Sequence, residues 1–153
     1  MIFTLHVLVG ALIGKTFSSL VLVIIIAILS HYILDFIPHR SPRAVKGFKE
    51  RGLRGANKRD LILKTVEPII GIIVIVYLIF GLNKEFAGLM LIGSFFAFFP
   101  DFLSYYAWKY DMKRFKRFLP VHGGMLYNNS KSLIVGILTQ VIVGIIVLVL
   151  FFL

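Results

Sequence analysis

The 153-residue sequence contains no cysteine, which excludes a disulfide framework and any thiolate-bound metal site. A metal site in this chain must therefore use nitrogen and oxygen ligands, from histidine and from carboxylates. Acidic residues are also scarce, because seven Asp and Glu stand against 17 Lys and Arg and give a formal net charge of +10. An acidic side chain inside an apolar segment is therefore a candidate for a specific role.

Hydrophobic residues make up 59% of the chain, and the mean hydropathy is +0.93. Both values lie well above those of a soluble domain, in which apolar residues including glycine amount to roughly half of the total. Phenylalanine is abundant, with 15 residues, and runs of Ile, Leu and Val recur along the chain. The composition predicts an integral membrane protein, and the length leaves room for a single domain.

Five apolar segments predict the architecture, because a spanning helix needs about 20 mainly apolar residues. We expect residues 1–153 to form one all-α membrane bundle, with four long transmembrane helices and a short N-terminal helix. The predicted helices are 2–14, 17–37, 61–82, 86–108 and 132–153. The first is too short for a normal span and fits a half-span or a re-entrant helix. Its Gly10 and Gly14 have the four-residue spacing that allows close packing against a neighbouring helix.

The basic residues are concentrated in two segments between the predicted helices. Nine of the 17 Lys and Arg lie in residues 38–64, and six more lie in residues 109–131. Basic loops mark the cytoplasmic side of a membrane protein and attract anionic lipid headgroups. We therefore expect a multi-pass protein of a bacterial or archaeal inner (cytoplasmic) membrane, with the basic loops 38–60 and 109–131 in the cytoplasm. The basic segments contain no nucleic-acid-binding motif, so nucleic acid is not an expected partner.

Several polar side chains lie where a bilayer makes them costly. A charged group at the centre of a spanning helix costs roughly 2.5–3.5 kcal/mol on insertion scales, so it usually has a partner or a task. The residues of this kind, together with the histidines near them, are His6, His31, Asp35, His39, Glu67, Asp101 and His122. The predicted topology places all of them towards the cytoplasmic face. We therefore expect them to converge on one site.

The strongest local pattern is SHYILDFIPH, residues 30–39. On a helix, His31 and Asp35 lie one turn apart on the same face. Pro38 disfavours a helical conformation at the preceding residue, so we expect His39 just beyond the helix end. An imidazole and a carboxylate one turn apart are suitable zinc ligands, and His39 could complete the site. The pattern is equally compatible with a structural role, in which His31 and Asp35 hydrogen-bond each other.

Each remaining candidate also has a structural alternative. Glu67 could pair with Lys64 on the same face of its helix. Asp101 follows Pro100 and could cap a segment that begins after a helix break. His122 precedes two glycines and could belong to a simple turn.

These residues resemble the motifs of small bacterial membrane proteins described as membrane-bound metal-dependent hydrolases, which are similar to the zinc-dependent phospholipase C and P1 nuclease superfamily. The matching features are Thr4-Leu5-His6 with Gly10, His31-Tyr32-x-x-Asp35 with Pro38 and His39, Glu67, Pro100-Asp101, His122, and the segment from Gly136 to Gln140. In the soluble phospholipases a similar His-Tyr-x-Gly-Asp motif supplies zinc ligands from a helix. Here Leu34 stands where that motif has a small residue.

The resemblance implies a metal-dependent hydrolase that acts on a phosphoester or lipid headgroup at the cytoplasmic interface, with one or two zinc ions. The expected metal ligands are His6, His31, Asp35 and Asp101. The residues expected to complete the coordination or to act as general base are His39, Glu67 and His122. Membrane lipids with anionic headgroups are the expected partners. The alternative is a non-enzymatic membrane protein, in which the same residues lock helices together or form an ion or proton pathway.

Overall fold

A computed structural model describes residues 2–39, 58–110 and 132–153. Most of both basic loops, together with His122, lies outside these ranges. The described residues form helices and no strand, which confirms the all-α prediction. The helices are α1 (Phe3–Thr16), α2 (Leu20–Phe36), α3 (Lys58–Val76), α4 (Ala87–Lys109) and α5 (Leu133–Phe152). A π-helical segment, Tyr77–Leu82, extends α3, and a 3-10 turn, Lys84–Phe86, leads into α4.

Three segments are long and apolar enough to span a membrane: Thr65–Leu82, Lys84–Ser104 and Ile134–Phe152. The predicted fourth long helix, 17–37, is not confirmed. In the structure α2 begins only at Leu20, because the backbone before it is extended. It ends at Phe36, because the residue before Pro38 is also extended (φ −66°, ψ 132°), as proline requires. Its 17 residues rise about 25 Å, less than the roughly 30 Å of a bilayer core.

The short helix α1 is the centre of the bundle, since it packs against all four other helices. Leu8 and Ala11 of α1 form one apolar core with residues of α3, α4 and α5. Ile13 forms a second core with Val23 and Ala27 of α2 and with residues of α4. The N-terminal segment is therefore an internal element of the fold, although its 14 residues are fewer than a span needs.

Contacts along α1 fix the direction of its neighbours. Thr4 hydrogen-bonds Glu67 in the first half of α3, and Lys15 Nζ donates to the carbonyl of Phe151, near the end of α5, at 2.5 Å. These two helices thus run parallel to α1, whereas α2 and α4 run antiparallel to it. The start of α1, the end of α2, the start of α3, the end of α4 and the start of α5 share one end of the bundle. We call this the histidine end, because His6 and His31 lie there.

The backbones of α1 and α4 approach each other closely at their glycines. A Cβ atom built on Gly10 would lie 2.6 Å from the carbonyl carbon of Gly93, and one built on Gly14 would lie 2.5 Å from the Cα of Met90. Such distances are far below an ordinary van der Waals separation of about 3.5–4.0 Å. The spacing of Gly10 and Gly14 therefore serves the close packing predicted from the sequence.

Candidate metal centre

His6 and His31 form a stacked pair of imidazoles in the interior of the bundle. Their ring centroids are 4.3 Å apart, with an angle of 26° between the planes. Both side chains are fully buried. The pair forms because α1 and α2 are antiparallel neighbours, so the first turns of α1 meet the last turns of α2. Residues far apart in sequence are thus brought together by one helical hairpin.

The carboxylate of Asp35 lies against both imidazoles. Its Oδ1 is 3.3 Å from His6 Nε2, and its Oδ2 is 3.6 Å from His31 Nε2. Asp35 is itself buried, at 1% exposure. It reaches His31 because the two residues are one helical turn apart on α2, as the sequence pattern predicts. It reaches His6 because Leu34, the residue before it, packs against Leu5, the residue before His6.

These nitrogen–oxygen distances are long for hydrogen bonds and suitable for two ligands of one metal ion. A protein N–H···O bond normally measures about 2.7–3.2 Å between the heavy atoms. Two donor atoms bound at about 2.0–2.1 Å in a tetrahedral arrangement lie about 3.3–3.4 Å apart. The separations of Asp35 from the two histidines lie close to that value. These separations are compatible with two ligands of one metal ion, and also with ion pairs between Asp35 and the two histidines.

Asp101 of α4 completes a group that could hold a metal ion. Ligand atoms of His6, His31 and Asp101 all lie within 4.8 Å of one another. Asp101 does not cap a segment after a helix break, because α4 continues through Pro100 to Lys109. The alternative suggested by Pro100 is therefore wrong. Asp35 and Asp101 thus bring two carboxylates to the two imidazoles.

A backbone carbonyl of α4 sets the tautomer of His31. The Nδ1 atom of His31 lies 2.8 Å from the carbonyl oxygen of Ala97. Because a carbonyl can only accept, Nδ1 carries the proton and Nε2 presents its lone pair towards Asp35. Metal-bound histidines commonly donate their second N–H to such a partner, which fixes the ring and raises its basicity.

His39 is buried just beyond the end of α2, as predicted from Pro38. Its Nδ1 donates to the carbonyl of Ile37 at 2.8 Å, so that its Nε2 is the basic atom. Burial lowers the pKa of the His39 imidazole and so favours its neutral form. The carbonyl of Pro38, the residue before His39, accepts a hydrogen bond from Thr139 Oγ1 of α5. This bond ties the segment that carries His39 to the start of the last helix.

Glu67 has a structural contact that the sequence did not indicate. Its Oε1 accepts a hydrogen bond from the backbone N–H of Thr4 at 2.6 Å. Thr4 is the second residue of α1, and no side chain within α1 caps that end. A carboxylate at this position accepts a hydrogen bond from a backbone N–H that has no partner within the helix. Its negative charge also interacts favourably with the positive end of the helix dipole. The predicted pairing with Lys64 and the predicted role of His122 concern side chains outside the described residues.

Two features of α4 that hold it against α1 were also not predicted from the sequence. Ser94 Oγ donates to the carbonyl of Val7 at 2.9 Å in the buried interface between α4 and α1. Gly93 and Ala97, one turn apart, form the small-residue surface that faces Gly10. A four-residue spacing of small residues in an apolar helix could have indicated this surface, as it did for Gly10 and Gly14.

The fold and the site thus describe a helical membrane protein with a buried cluster that could hold a metal ion. A scan of protein-family models, a search of curated proteins and a search of solved structures each found no match to the chain.

Proposed function

We propose that this protein is a membrane-bound, zinc-dependent hydrolase that cleaves a phosphoester bond of a lipid headgroup at the cytoplasmic interface. The observation that carries the proposal is the convergence of His6, His31 and Asp101, whose ligand atoms lie within 4.8 Å of one another. Asp35 adds a carboxylate that contacts both histidines. Three helices contribute to the cluster, which is typical of metal sites built inside helical bundles.

The donor set supports zinc as the metal. Imidazole nitrogen and carboxylate oxygen, without thiolate, suit Zn²⁺ in catalytic sites, which use three protein ligands and leave one position open. His6, His31 and one carboxylate would supply those three ligands, and the second carboxylate would complete or balance the site. Zinc at this place would act as a Lewis acid that polarises a phosphoryl oxygen and lowers the pKa of water.

The residues around the cluster have separable tasks in this proposal. His31 is held by the Ala97 carbonyl, so that its Nε2 faces the centre of the cluster. In its neutral form, His39 would accept a proton from the attacking water at Nε2. Glu67 holds the first turn of α1, and thereby His6, through its bond to Thr4. It is thus a positioning residue in this scheme, in contrast to the catalytic role expected from the sequence.

The charge distribution supports a cytoplasmic site with an anionic lipid substrate. Residues 39, 58, 110 and 132, at which the described segments end or begin, lie at the histidine end. They flank the two basic segments on either side. The positive-inside rule would place this end in the cytoplasm of a bacterial or archaeal inner membrane. Basic residues close to a membrane surface attract anionic headgroups by about 1 kcal/mol each. The substrate would therefore be concentrated at the end of the bundle where the cluster lies.

Metal analysis and hydrolysis assays test the two parts of the proposal. Protein purified in mild detergent and supplied with zinc should hold it stoichiometrically, whereas His31→Ala and Asp101→Asn should lose it. The matched control is Glu85→Gln, because Glu85 is an exposed carboxylate at the opposite end of the bundle. Wild type should release phosphate-containing product from phosphatidylglycerol vesicles, and chelation should abolish that release. Zinc binding without hydrolysis would refute the enzyme and leave the metal site; full zinc retention by both site variants would refute the metal site.

A second candidate function is favoured by the burial of the cluster. His6 and His31 are 0% exposed and Asp35 is 1% exposed, as expected for polar residues that lock helices together or form a proton pathway in a membrane. In that case chelation would leave the melting temperature unchanged. Asp35→Asn would then destabilise the bundle to the same extent with and without zinc. A melting temperature that rises with zinc only in the wild type would exclude this alternative.

A further inference from the structure

A groove with a volume of about 300 Å³ lies at the histidine end, between the start of α1 and α3. The residues that line it are Ile2, Thr4, Val66, Glu67 and Ile70. Val66 and Ile70 are 44% and 52% exposed and belong to Thr65–Leu82, a segment that is long and apolar enough to span a membrane. In a bilayer, this surface of α3 faces lipid, so the groove opens towards acyl chains.

The wall of the groove is almost wholly apolar, although Thr4 and Glu67 line it. The reason is that polar groups of Thr4 and Glu67 hydrogen-bond each other. Thr4 N donates to Glu67 Oε1 at 2.6 Å, and Thr4 Oγ1 donates to the Glu67 backbone carbonyl at 3.1 Å. A charged or hydroxylated headgroup would therefore find few partners here and would lose its hydration. A hydrocarbon chain has no such cost.

We propose that this groove binds one acyl chain of a membrane phospholipid. Lipid is the solvent on this side of a spanning helix, and a concave apolar wall gives one chain more contacts than the flat helix surface does. Thr4 in the groove wall lies two residues before His6 on α1, so the two side chains project from different faces of that helix at the same end of the bundle. A phospholipid held by its chain would thus be retained at the histidine end. This assigns long-chain phospholipids as the substrate class, a step that rests on the proposed function, whereas chain binding itself does not.

The test measures lipid binding and not hydrolysis. Native mass spectrometry of the full-length protein in detergent, with added palmitoyl-oleoyl phosphatidylglycerol, counts the lipids that each variant retains. Ile70→Trp fills the groove with a larger side chain, and Val66→Trp does so from a second position. The matched control is Ile72→Trp, because Ile72 is also 52% exposed on α3 but does not line the groove. Circular dichroism establishes that each variant is folded.

We expect wild type and Ile72→Trp to retain one lipid per protein. For Ile70→Trp and Val66→Trp the affinity should fall by at least about fivefold, since a clash of about 1 kcal/mol already has that effect on an equilibrium constant. Glycerophosphoglycerol, the same headgroup without chains, should not compete. Equal retention by the control and the groove variants would overturn the inference, as would effective competition by the chain-free headgroup. Neither result depends on whether the protein hydrolyses lipid.

Discussion

Replacing Gly93 with alanine would place a methyl group against the backbone of α1, at the contact that sets the distance between α1 and α4. That methyl carbon would lie 2.9 Å from the carbonyl carbon of Gly10 and 3.3 Å from the backbone nitrogen of Gly14. Main-chain atoms cannot rotate away as the end of a side chain can. The two helices must therefore move apart, and the packing along their whole contact is weakened.

The magnitude follows from a comparison with Gly88, which lies on the same helix and has no atom within 4 Å of a built Cβ. Both substitutions gain the helix propensity of alanine over glycine, about 0.8–1.0 kcal/mol. Overpacking a well-packed interior costs about 1–3 kcal/mol. We expect a cost in the upper part of that range, because the added methyl group meets main-chain atoms. Gly93→Ala should thus have a free energy of unfolding about 2–3 kcal/mol lower than that of Gly88→Ala.

Unfolding in mixed micelles, followed by circular dichroism during titration with a denaturing detergent, measures this difference. The metal centre should respond as well, because His6 lies one turn from Gly10 and Ala97 lies one turn from Gly93. Separating α1 from α4 therefore moves His6 away from Asp101, and zinc affinity should fall in Gly93→Ala alone. If the two alanine variants proved equally stable and bound zinc equally well, this account of the α1–α4 contact would be refuted.

Two further substitutions test the contacts at opposite ends of α1. Glu67→Ala should lower the free energy of unfolding by about 1–2 kcal/mol through loss of the helix cap, and Glu67→Gln by less than half of that, because its amide oxygen can still accept. A Gln variant that kept its stability but lost hydrolysis would instead indicate a catalytic Glu67. Lys15→Met should cost about 1–2 kcal/mol by removing the charged bond to the Phe151 carbonyl without changing zinc content; unchanged stability would contradict this.

The sequence predicted the parts of the site that depend on distance along a helix. His31 and Asp35 lie on one face of α2 because they are one turn apart, and the bend before His39 follows from Pro38. Topology added the convergence of His6 with this pair, since antiparallel neighbours bring the start of one helix to the end of the other. These features need only helical periodicity and the order of the apolar segments.

Rotation about each helix axis could not be predicted in the same way. The sequence predicted both Glu67 and Asp101 at the site, Asp101 as a metal ligand and Glu67 as a residue that completes the coordination or acts as general base. In the structure Asp101 lies in the ligand group, whereas Glu67 lies at the N-terminus of α1. The length of α2 was also overestimated, because apolar content alone does not show that the backbone just before Leu20 is extended. Both outcomes depend on contacts between helices, which a single sequence does not display.

The order of the helices along the chain has a consequence for how the protein enters the membrane. The hairpin of α1 and α2 already contains Asp35 together with both of its histidine contacts, so the first carboxylate to be inserted brings its own polar partners. Asp101 is synthesised only after α3 and most of α4. A nascent chain would therefore carry an acidic group with its polar contacts into the bilayer early, and the group of His6, His31 and Asp101 that could hold a metal ion would be complete only when α4 docks.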